Sequence, residues 1–361
     1  MRELCRRFDI SATVGYKWLK RYEQAGEAGL QDHSRRPHHS PKQTDPAVEE
    51  LIIGLRREHP AWGARKLRRR LLDLGHTGLP ATSTITDMLH RHGLIGDQQS
   101  QAAQRYQRFE RRAPNELWQI DYKGHFGLSR GRCHPLCALD DHSRYNVLLS
   151  ACADQTESTV RQQLVGPFRL YGLPAQVLWD NGSPWGSGGG QEFTALDVWL
   201  MRLGIGVIHG QPYHPQTQGK EERFHRTLKA EVLSRGAWQD CQDVQQAFDR
   251  WRPVYNCERP HGALDLATPA SRYQVSERSY PERLPEVQYD EGVQVRKVCQ
   301  DGWISYDGKP WKVGRAFVGQ TVGVRPTDRE GIHQIIFLTH VIKELDLRQG
   351  TTTVPSTDAA P

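Results

Sequence analysis

A basic segment of the chain holds two adjacent carboxylates. Residues 214–231 read HPQTQGKEERFHRTLKAE, with Glu221 and Glu222 set among Lys, Arg and His. On a helical wheel with about 100° per residue, Glu221 falls within the apolar stripe that starts at Phe224. Glu222 points roughly the opposite way, toward cations suited to DNA phosphates. A solvated helix face can mix charges in this way without any ligand, but the pattern makes Glu222 a candidate metal ligand.

Two aspartates elsewhere fit the same chemistry. Asp121 lies in LWQIDYKG, which has the pattern of a buried central strand, and Asp180 ends VLWD just before the glycine-rich NGSPWGSGGG. Ligands of open α/β sheets bind at the ends of strands. A carboxylate at the end of a buried strand is unfavourable unless it is paired or binds a metal. Both aspartates are therefore predicted to act with Glu222.

Three carboxylates form a set of hard oxygen donors, which suits Mg²⁺ or Mn²⁺ rather than zinc. Two such ions in one active site activate an attacking oxygen and stabilise a leaving oxygen in displacement at phosphorus. A polyanionic substrate then needs cations beside the acidic site. On the predicted helix, the candidate DNA contacts are Lys220, Arg226 and Lys229.

Other acidic and metal-binding patterns have simpler explanations. Asp140 and Asp141, in ALDDHSRY, are interpreted as a hairpin turn with side-chain caps. Cys133 and Cys137 with His142 suggest zinc, but the cysteine spacing is loose and no second pair follows. Neither pattern is assigned to the site.

Composition excludes several classes of protein. The chain has 361 residues, of which 37% are hydrophobic and 25% charged, so it can form packed domains. No apolar run approaches the roughly 20 residues that span a bilayer, so no membrane partner is expected. Seven scattered cysteines suit reduced thiols in a cytoplasm, and the predicted location is the bacterial cytoplasm in association with the nucleoid.

Positive charge is concentrated at the front of the chain. Residues 1–113 hold 21 Lys and Arg against 13 Asp and Glu, although the net charge of the whole chain is only +6. A basic front third is typical of phosphate-backbone contact, and it equally suits a solvated surface. The predicted partner is double-stranded DNA.

The basic front contains two predicted helical units. Residues 1–42 have the pattern of a partial helix-turn-helix followed by a linker, with Ser11 capping the second helix. A complete unit needs one more helix before Arg2, so we expect either truncation or an upstream start. The candidate DNA contacts of this unit are Thr13, Tyr16, Lys17 and Lys20.

Residues 43–96 form the second helical unit in this prediction. Asp45 and Pro46 start its first helix, and the third is predicted to open at Ser83 and stop at Gly93. The middle helix carries the densest basic run of the chain. Its candidate DNA contacts are Arg65, Lys66 and Arg69.

The sequence pattern changes twice in the rest of the chain. A Gln/Arg-rich linker is predicted at 97–113, followed at 114–275 by short strands and alternating helices, which indicate an α/β core with a mixed sheet. Residues 285–347 have short alternating segments, and Asp307-Gly308 is a two-residue hairpin signal, so a small SH3-like β-barrel is expected. The tail 348–361 is predicted to be disordered.

Five motifs in order carry a resemblance to a known family: LWQIDYKGHF, DDHSRY, LWDNGSPW, HPQTQGKEERFHRTLK and YNCERPHGALDLATPASRY. They resemble the integrase core of DDE transposases from bacterial insertion sequences, and are similar also to retroviral integrases, which share the RNase H-like fold. The resemblance assigns the acidic triad to Asp121, Asp180 and Glu222. The 42-residue interval from Asp180 to Glu222 is longer than usual in the family. The extra length falls in SPWGSGGGQ, which is expected to be a mobile loop.

The resemblance implies a transposase that binds the inverted-repeat ends of its element, nicks them and joins the 3′-hydroxyl ends to target DNA. It implies two Mg²⁺ or Mn²⁺ ions per active site and at least a dimer on DNA. The sequence leaves open an RNase H-like nuclease without strand transfer, and a DNA-binding regulator or domesticated protein with an inactive core. A two-carboxylate glycosidase fits the basic surroundings of Glu222 poorly.

Overall fold

The structure, a computed structural model, describes residues 1–32, 43–95, 110–180, 182–186, 193–210 and 219–353. Most of the predicted linker residues and part of the glycine-rich loop lie outside these ranges. The chain divides into two compact units, residues 1–48 and 49–361. Each unit is described by itself.

The first unit is built on two helices, α1 (Arg2–Arg7) and α2 (Ala12–Ala25). The Ser11 hydroxyl caps α2 by accepting a hydrogen bond from the Val14 amide at 3.3 Å, as predicted. A Cβ at Gly15 would lie 2.3 Å from the Cys5 sulfur, so only glycine lets the two helices approach this closely.

Three helices follow: α3 (Pro46–Glu58), which starts in the last residues of the first unit, and α4 (Ala64–Asp73) and α5 (Thr82–Arg91) in the second unit. Asp45 caps α3, since its carboxylate accepts from the Ala47 amide at 2.9 Å. The prediction that Ser83 opens α5 was wrong: the N-cap is Ala81, and Ser83 lies within the first turn. Among the described residues, every helix is too short or too polar to cross a lipid bilayer.

The α/β core contains a mixed six-stranded sheet. Strand β1 is central: it pairs antiparallel with β3 and parallel with β5, while β4 and β2 pair with β3, and β6 extends the parallel side. The strands are β1 (Leu117–Tyr122), β2 (Phe126–Gly127), β3 (Arg132–Asp140), β4 (Asn146–Cys152), β5 (Gln176–Trp179) and β6 (Gly206–His209). The core helices are α6 (Glu157–Tyr171), α7 (Ala195–Arg202), α8 (Gly219–Glu231) and α9 (Cys241–Pro253).

Helices cover both faces of this sheet. Trp118, Ile120 and Tyr122 of β1 point into one hydrophobic cluster, which α6 and α7 complete. The other face carries Cys137 of β3 and is covered by α8 and α9. Because side chains alternate along a strand, Asp121 lies on the face covered by α8 and α9.

The C-terminal region is rich in β-strands. A five-stranded antiparallel sheet has the order β13-β12-β11-β10-β7, and β8 and β9 form a separate hairpin. The strands are β7 (Gln294–Lys297), β8 (Trp303–Tyr306), β9 (Lys309–Lys312), β10 (Thr321–Pro326), β11 (Ile332–Phe337), β12 (His340–Asp346) and β13 (Thr351–Thr353).

Two predictions about this region have different outcomes. The hairpin turn at Asp307-Gly308 is confirmed, with positive φ at both residues. The tail is ordered further than predicted, because three consecutive threonines at 351–353 favour a strand that pairs with β12. The described strands form an open sheet and a hairpin, so closure into a barrel stays a prediction.

Candidate active site

Asp121 and Asp180 come together through the parallel pairing of β1 with β5. Leu117 pairs with Gln176 and Gln119 with Leu178. Continuing this register by two residues sets Asp180 opposite Asp121, one strand spacing of about 4.8 Å away. Residues paired in this way point to the same face, so both carboxylates lie on the face covered by α8.

The electrostatics of Asp121 agree with this arrangement. Its side chain is 22% exposed. Burial and the negative charges of Asp180 and Glu222 together raise the pKa of Asp121 to about 7, against the opposing effect of the Tyr122 backbone amide. Asp121 therefore lies close enough to both acidic groups for their charges to disfavour its ionisation.

Helix α8 presents Glu222 as the helical wheel predicts. Phe224 and Leu228 are buried against the sheet, and Glu221 is buried beside them. Glu222 is exposed, as are Arg226 and Lys229. The third carboxylate thus lies at the surface of the site, where a polynucleotide can reach it.

Asp180 is held in a turn. Its Oδ1 accepts from the Gly182 amide at 3.0 Å, which leaves the second oxygen for another partner. Trp185 is buried, and its ring stacks on Trp179 with 5.0 Å between centroids and 21° between planes. The start of the glycine-rich segment is therefore fixed to the sheet, while the predicted loop residues 187–192 lie outside the described residues.

The chemistry of the donors fits a hard divalent cation. A cation between the carboxylates would relieve the repulsion that raises the pKa of Asp121. Across the described ranges, no three His, Cys, Asp or Glu side chains stand close enough together to hold a metal ion. The three carboxylates therefore approach one another without closing into a metal site in this conformation.

Glu221 is buried without a hydrogen-bond partner. It is 1% exposed, and neither carboxylate oxygen has a partner among the described residues. The closest ionisable contact is His225 Nε2 at 3.7 Å, and His225 Nδ1 lies 3.9 Å from an oxygen of Asp121. Burial, and then the charge of Asp121, raise the pKa of Glu221 well above its ordinary value.

Replacing Glu221 with leucine is expected to stabilise the protein by about 1–3 kcal/mol, since a buried carboxyl without a partner is removed. The matched control is Glu231→Leu on the same helix. Glu231 is also buried, but it accepts hydrogen bonds from Trp251 Nε1 and Arg259 Nε, so its loss destabilises. In urea unfolding, the free energy of unfolding should rise in Glu221→Leu and fall in Glu231→Leu. A change of the same sign in both variants would contradict the conclusion that Glu221 is buried without a partner.

Sequence reasoning missed His209, which stands beside Asp180. His209 pairs with Trp179 across β5 and β6. Burial lowers the pKa of His209, but its bond to Asp197 and the Asp180 charge outweigh this and raise the pKa overall. The parallel pairing that brings it to Asp180 has no local signal, so only the short apolar run GVIH offered a clue.

Asp140 caps the β3–β4 turn as predicted, whereas Asp141 has a structural role through contacts outside the turn. Asp140 accepts from the Asn115 and Ser143 amides, each at 2.7 Å. Asp141 accepts from Gln119 Nε2 at 2.7 Å and pairs with the Lys220 ammonium. Lys220 is therefore engaged within the protein and ties the start of α8 to the β3–β4 turn. This contact argues against its predicted role in DNA binding.

Much of the basic run on α4 is also engaged internally. Arg69 pairs with Asp73 at 2.8 Å, and Arg70 with Glu258 at 2.5 Å. Burial lowers the pKa of Lys66 to about 8, with Arg259 adding to the effect. Of the three contacts predicted here, only Arg65 is exposed. In the first unit, by contrast, all four predicted contacts are exposed: Thr13, Tyr16, Lys17 and Lys20.

The rejected zinc pattern is part of the hydrophobic core. Cys133 and Cys137 are buried in the cluster between the sheet and helices α8 and α9. Burial raises the pKa of the Cys137 thiol well above its ordinary value, so it is neutral at physiological pH.

Four segments of the chain match known domain families. Residues 14–89 match the homeodomain-like domain, and residues 111–215 and 203–269 match two models of the integrase core domain. Residues 293–353 match the C-terminal domain of IS481 family transposases. Together the matches cover the helical front, the α/β core and the C-terminal sheet.

Two curated relatives are similar over part of their length. The insertion element IS407 uncharacterized 31.7 kDa protein of Burkholderia multivorans is 29% identical over 161 residues, 44% of this chain and 55% of that protein. The Gag-Pro-Pol polyprotein of Mason-Pfizer monkey virus is 33% identical over 127 residues, 35% of this chain and 7% of the polyprotein. The chain thus covers less than two thirds of either relative.

Solved structures give weaker similarity. A chain of the simian T-cell lymphotropic virus intasome with PP2A regulatory subunit B56 gamma is 17% identical with a TM-score of 0.40, covering 80% of this chain and 96% of that one. The HTLV-2 integrase catalytic core domain in complex with magnesium is 14% identical with a TM-score of 0.35, covering 45% and 99%.

Proposed function

We propose that this chain cuts and joins DNA at the ends of a mobile element, because its segments match the integrase core domain and the C-terminal domain of IS481 family transposases. The observation that carries the proposal is the β1–β5 register, which sets Asp180 opposite Asp121. Glu222, whose negative charge raises the pKa of Asp121, is the third acidic group of the proposal. An acidic site beside exposed cations suits phosphoryl transfer on a polyanion.

In this proposal Asp121, Asp180 and Glu222 hold two divalent cations, Mg²⁺ or Mn²⁺. When bound, such ions supply the positive charge that activates an attacking oxygen and stabilises a leaving one. The sheet fixes Asp121, and the Gly182 amide orients Asp180. Glu222, on the exposed face of α8, completes the site as DNA arrives, while Arg226 and Lys229 hold phosphates of the bound strand.

The reaction has two steps on each end. First, a water oxygen forms a bond to phosphorus and the bond to the 3′ oxygen breaks, which leaves a 3′-hydroxyl and a 5′-phosphate. Next, the freed 3′-hydroxyl attacks a phosphodiester of target DNA and its 3′ oxygen leaves. No covalent enzyme intermediate is needed, because positioning and electrostatics supply the catalysis. Two ends require two sites, so we propose at least a dimer on DNA.

Recognition of the inverted-repeat ends is assigned to residues 1–95, where the exposed predicted contacts are the four residues of the first unit and Arg65. The same proposal includes the predicted domain boundaries and association with the nucleoid. It also includes closure of the C-terminal strands into a barrel that helps assembly or target contact. In this scheme the 49–95 helices act partly as structural support, since Arg70 bonds to Glu258 of the core segment.

Charge reversal in the first unit tests end recognition. The Lys17→Glu, Lys20→Glu double variant is expected to lose about two phosphate contacts, so the slope of log affinity against log salt should fall by roughly two. Fluorescence anisotropy with an end-sequence duplex measures this. Because both side chains are exposed, stability should not change. An unchanged slope would argue against a role for α2 in DNA binding.

Strand transfer separates this proposal from a plain nuclease. With a pre-cleaved end and plasmid target in Mg²⁺, we expect joined products that disappear in Asp180→Asn. Cleavage without joining would favour an RNase H-like nuclease. Tight end binding without either reaction would favour a DNA-binding regulator with an inactive core.

A further inference from the structure

Two lysines lie next to the acidic groups on the same side of the sheet. The Lys123 amide bonds to the Pro135 carbonyl at 3.0 Å and so continues the β1–β3 ladder by one residue. Tyr122 points to the α6 and α7 cluster. By strand alternation Lys123 lies on the same face as Asp121, about 6.6 Å further along β1.

Helix α8 brings a second lysine to this position. His225 lies 3.9 Å from Asp121. Lys229 follows His225 by four residues, on the same helix face and about 6 Å further along the axis. The step along the helix is similar in length to the step from Asp121 to Lys123 along the strand. Burial and the nearby charge of Lys229 both lower the pKa of Lys123, in agreement with this proximity.

Neither lysine has an acidic partner within the described part of the chain, where the ion pairs involve other residues. Two ammonium groups side by side repel each other and are stabilised by an anion between them. The half-buried position of Lys123 strengthens this effect, because screening by water is reduced.

We infer that Lys123 and Lys229 form a binding site for a backbone phosphate next to the scissile phosphate, one step beyond the acidic group. The inference rests on the proposed function for its substrate class, a polynucleotide strand. It adds Lys123 as a positioning residue; Lys123 lies within the motif LWQIDYKGHF but was not among the predicted DNA contacts. The order of charges is then acidic at Asp121 and Glu222, and basic at Lys123 and Lys229. The basic pair holds a strand that the carboxylates alone would repel.

The test measures DNA affinity of the full chain against NaCl concentration in EDTA, so that binding is read without catalysis. Lys123→Ala is expected to lower the slope of log affinity against log salt by about 0.9, the value for one lost phosphate contact on duplex DNA. Lys123→Arg should retain the slope. Arg169→Ala is the control, because Arg169 is exposed on α6, on the opposite face of the sheet, and pairs with Glu282, so its loss should leave the slope unchanged.

Stability gives a second readout. If Lys123 serves the fold, its replacement by alanine destabilises the protein. If Lys123 binds phosphate, its replacement removes the repulsion with Lys229 and leaves the protein equally or more stable at low salt. Added inorganic phosphate should then stabilise the wild type more than Lys123→Ala. An unchanged salt slope together with lost stability would overturn the inference.

Failure of this inference is distinguishable from failure of the proposed function. A lowered slope in Lys123→Ala, with no cleavage or joining by the wild type, would support the phosphate site and refute the enzyme. Normal cleavage and joining by the wild type, with an unchanged salt slope in Lys123→Ala, would support the enzyme and refute the phosphate site.

Discussion

Asp121→Asn is expected to reduce end cleavage and strand transfer at least about a thousandfold, which corresponds to roughly 4 kcal/mol of lost transition-state stabilisation. The same variant should be more stable than the wild type at neutral pH. The reason is that the negative charge of Asp121 is unfavourable in a half-buried site beside Asp180 and Glu222. A functional loss coupled to a gain in stability distinguishes an active-site carboxylate from a structural one.

The sign of the pH dependence follows from the raised pKa. The pKa of Asp121 rises from 3.8 to about 7 on folding, so the folded state holds the proton more tightly. Its contribution to stability is fully present below about pH 4 and is lost as pH rises through about 7. In EDTA, the advantage of Asp121→Asn should therefore grow between about pH 4 and pH 7, to at most about 4 kcal/mol.

Denaturant unfolding at about pH 5 and about pH 8 measures this difference, and Asp301→Asn serves as the control because Asp301 is exposed on a loop. Added Mn²⁺ should stabilise the wild type and not Asp121→Asn, as expected for a ligand that binds the folded state. Full cleavage activity in Asp121→Asn would refute the site. A stability difference independent of pH would refute the electrostatic account.

Arg259→Ala is expected to destabilise the protein by about 3–5 kcal/mol, the range for removing one partner of a buried ion pair. Arg259 Nε bonds to Glu231 Oε1 at 2.9 Å, and both side chains are buried. This pair joins the end of α8 to the segment after α9. Its loss leaves the Glu231 carboxylate buried, with Trp251 Nε1 as its remaining hydrogen-bond donor among the described residues.

A surface pair provides the matched control. Arg169 and Glu282 pair at 2.7 Å, but both side chains are more than half exposed, so Arg169→Ala should change stability little. Adding Glu231→Gln to Arg259→Ala should recover part of the loss, because the amide oxygen still accepts from Trp251 and no charge stays buried. Equal effects of Arg259→Ala and Arg169→Ala in urea unfolding would contradict the buried-pair argument.

Local signals in the sequence predicted the elements and the faces of α8. Apolar spacing identified the buried stripe from Phe224 to Leu228, and the Asp307-Gly308 pair identified the hairpin between β8 and β9. Each of these signals spans only a few residues, so it depends on backbone preference and side-chain periodicity rather than on distant partners.

Long-range pairing was not accessible in the same way. The β1–β5 register joins residues 59 positions apart, such as Leu117 and Gln176, and it decides that Asp180 faces Asp121. The family resemblance selected the same aspartates, but their relative position comes from the sheet. His209 reaches Asp180 through a further parallel pairing and carried no motif of its own.

The basic run on α4 illustrates a different difficulty. A dense cationic strip predicts a nucleic-acid surface, yet Arg68 donates to the Pro80 carbonyl and Arg70 to Glu258. Sequence spacing indicates which charges share a helix face, and it does not identify the carbonyls or carboxylates that fold against that face. Ser83 is a smaller case: it is a good capping residue, but the chain enters the helix two residues earlier.

The stacked indoles of Trp179 and Trp185 give the site an intrinsic optical reporter. Asp180 lies between them in sequence, and the rings are 5.0 Å apart at 21°. Chromophores this close couple excitonically, so sliding one ring over the other alters the near-ultraviolet circular dichroism. Any movement of the Asp180 turn on meeting its substrate should therefore be visible in unlabelled protein, with Trp185→Phe as the spectral blank.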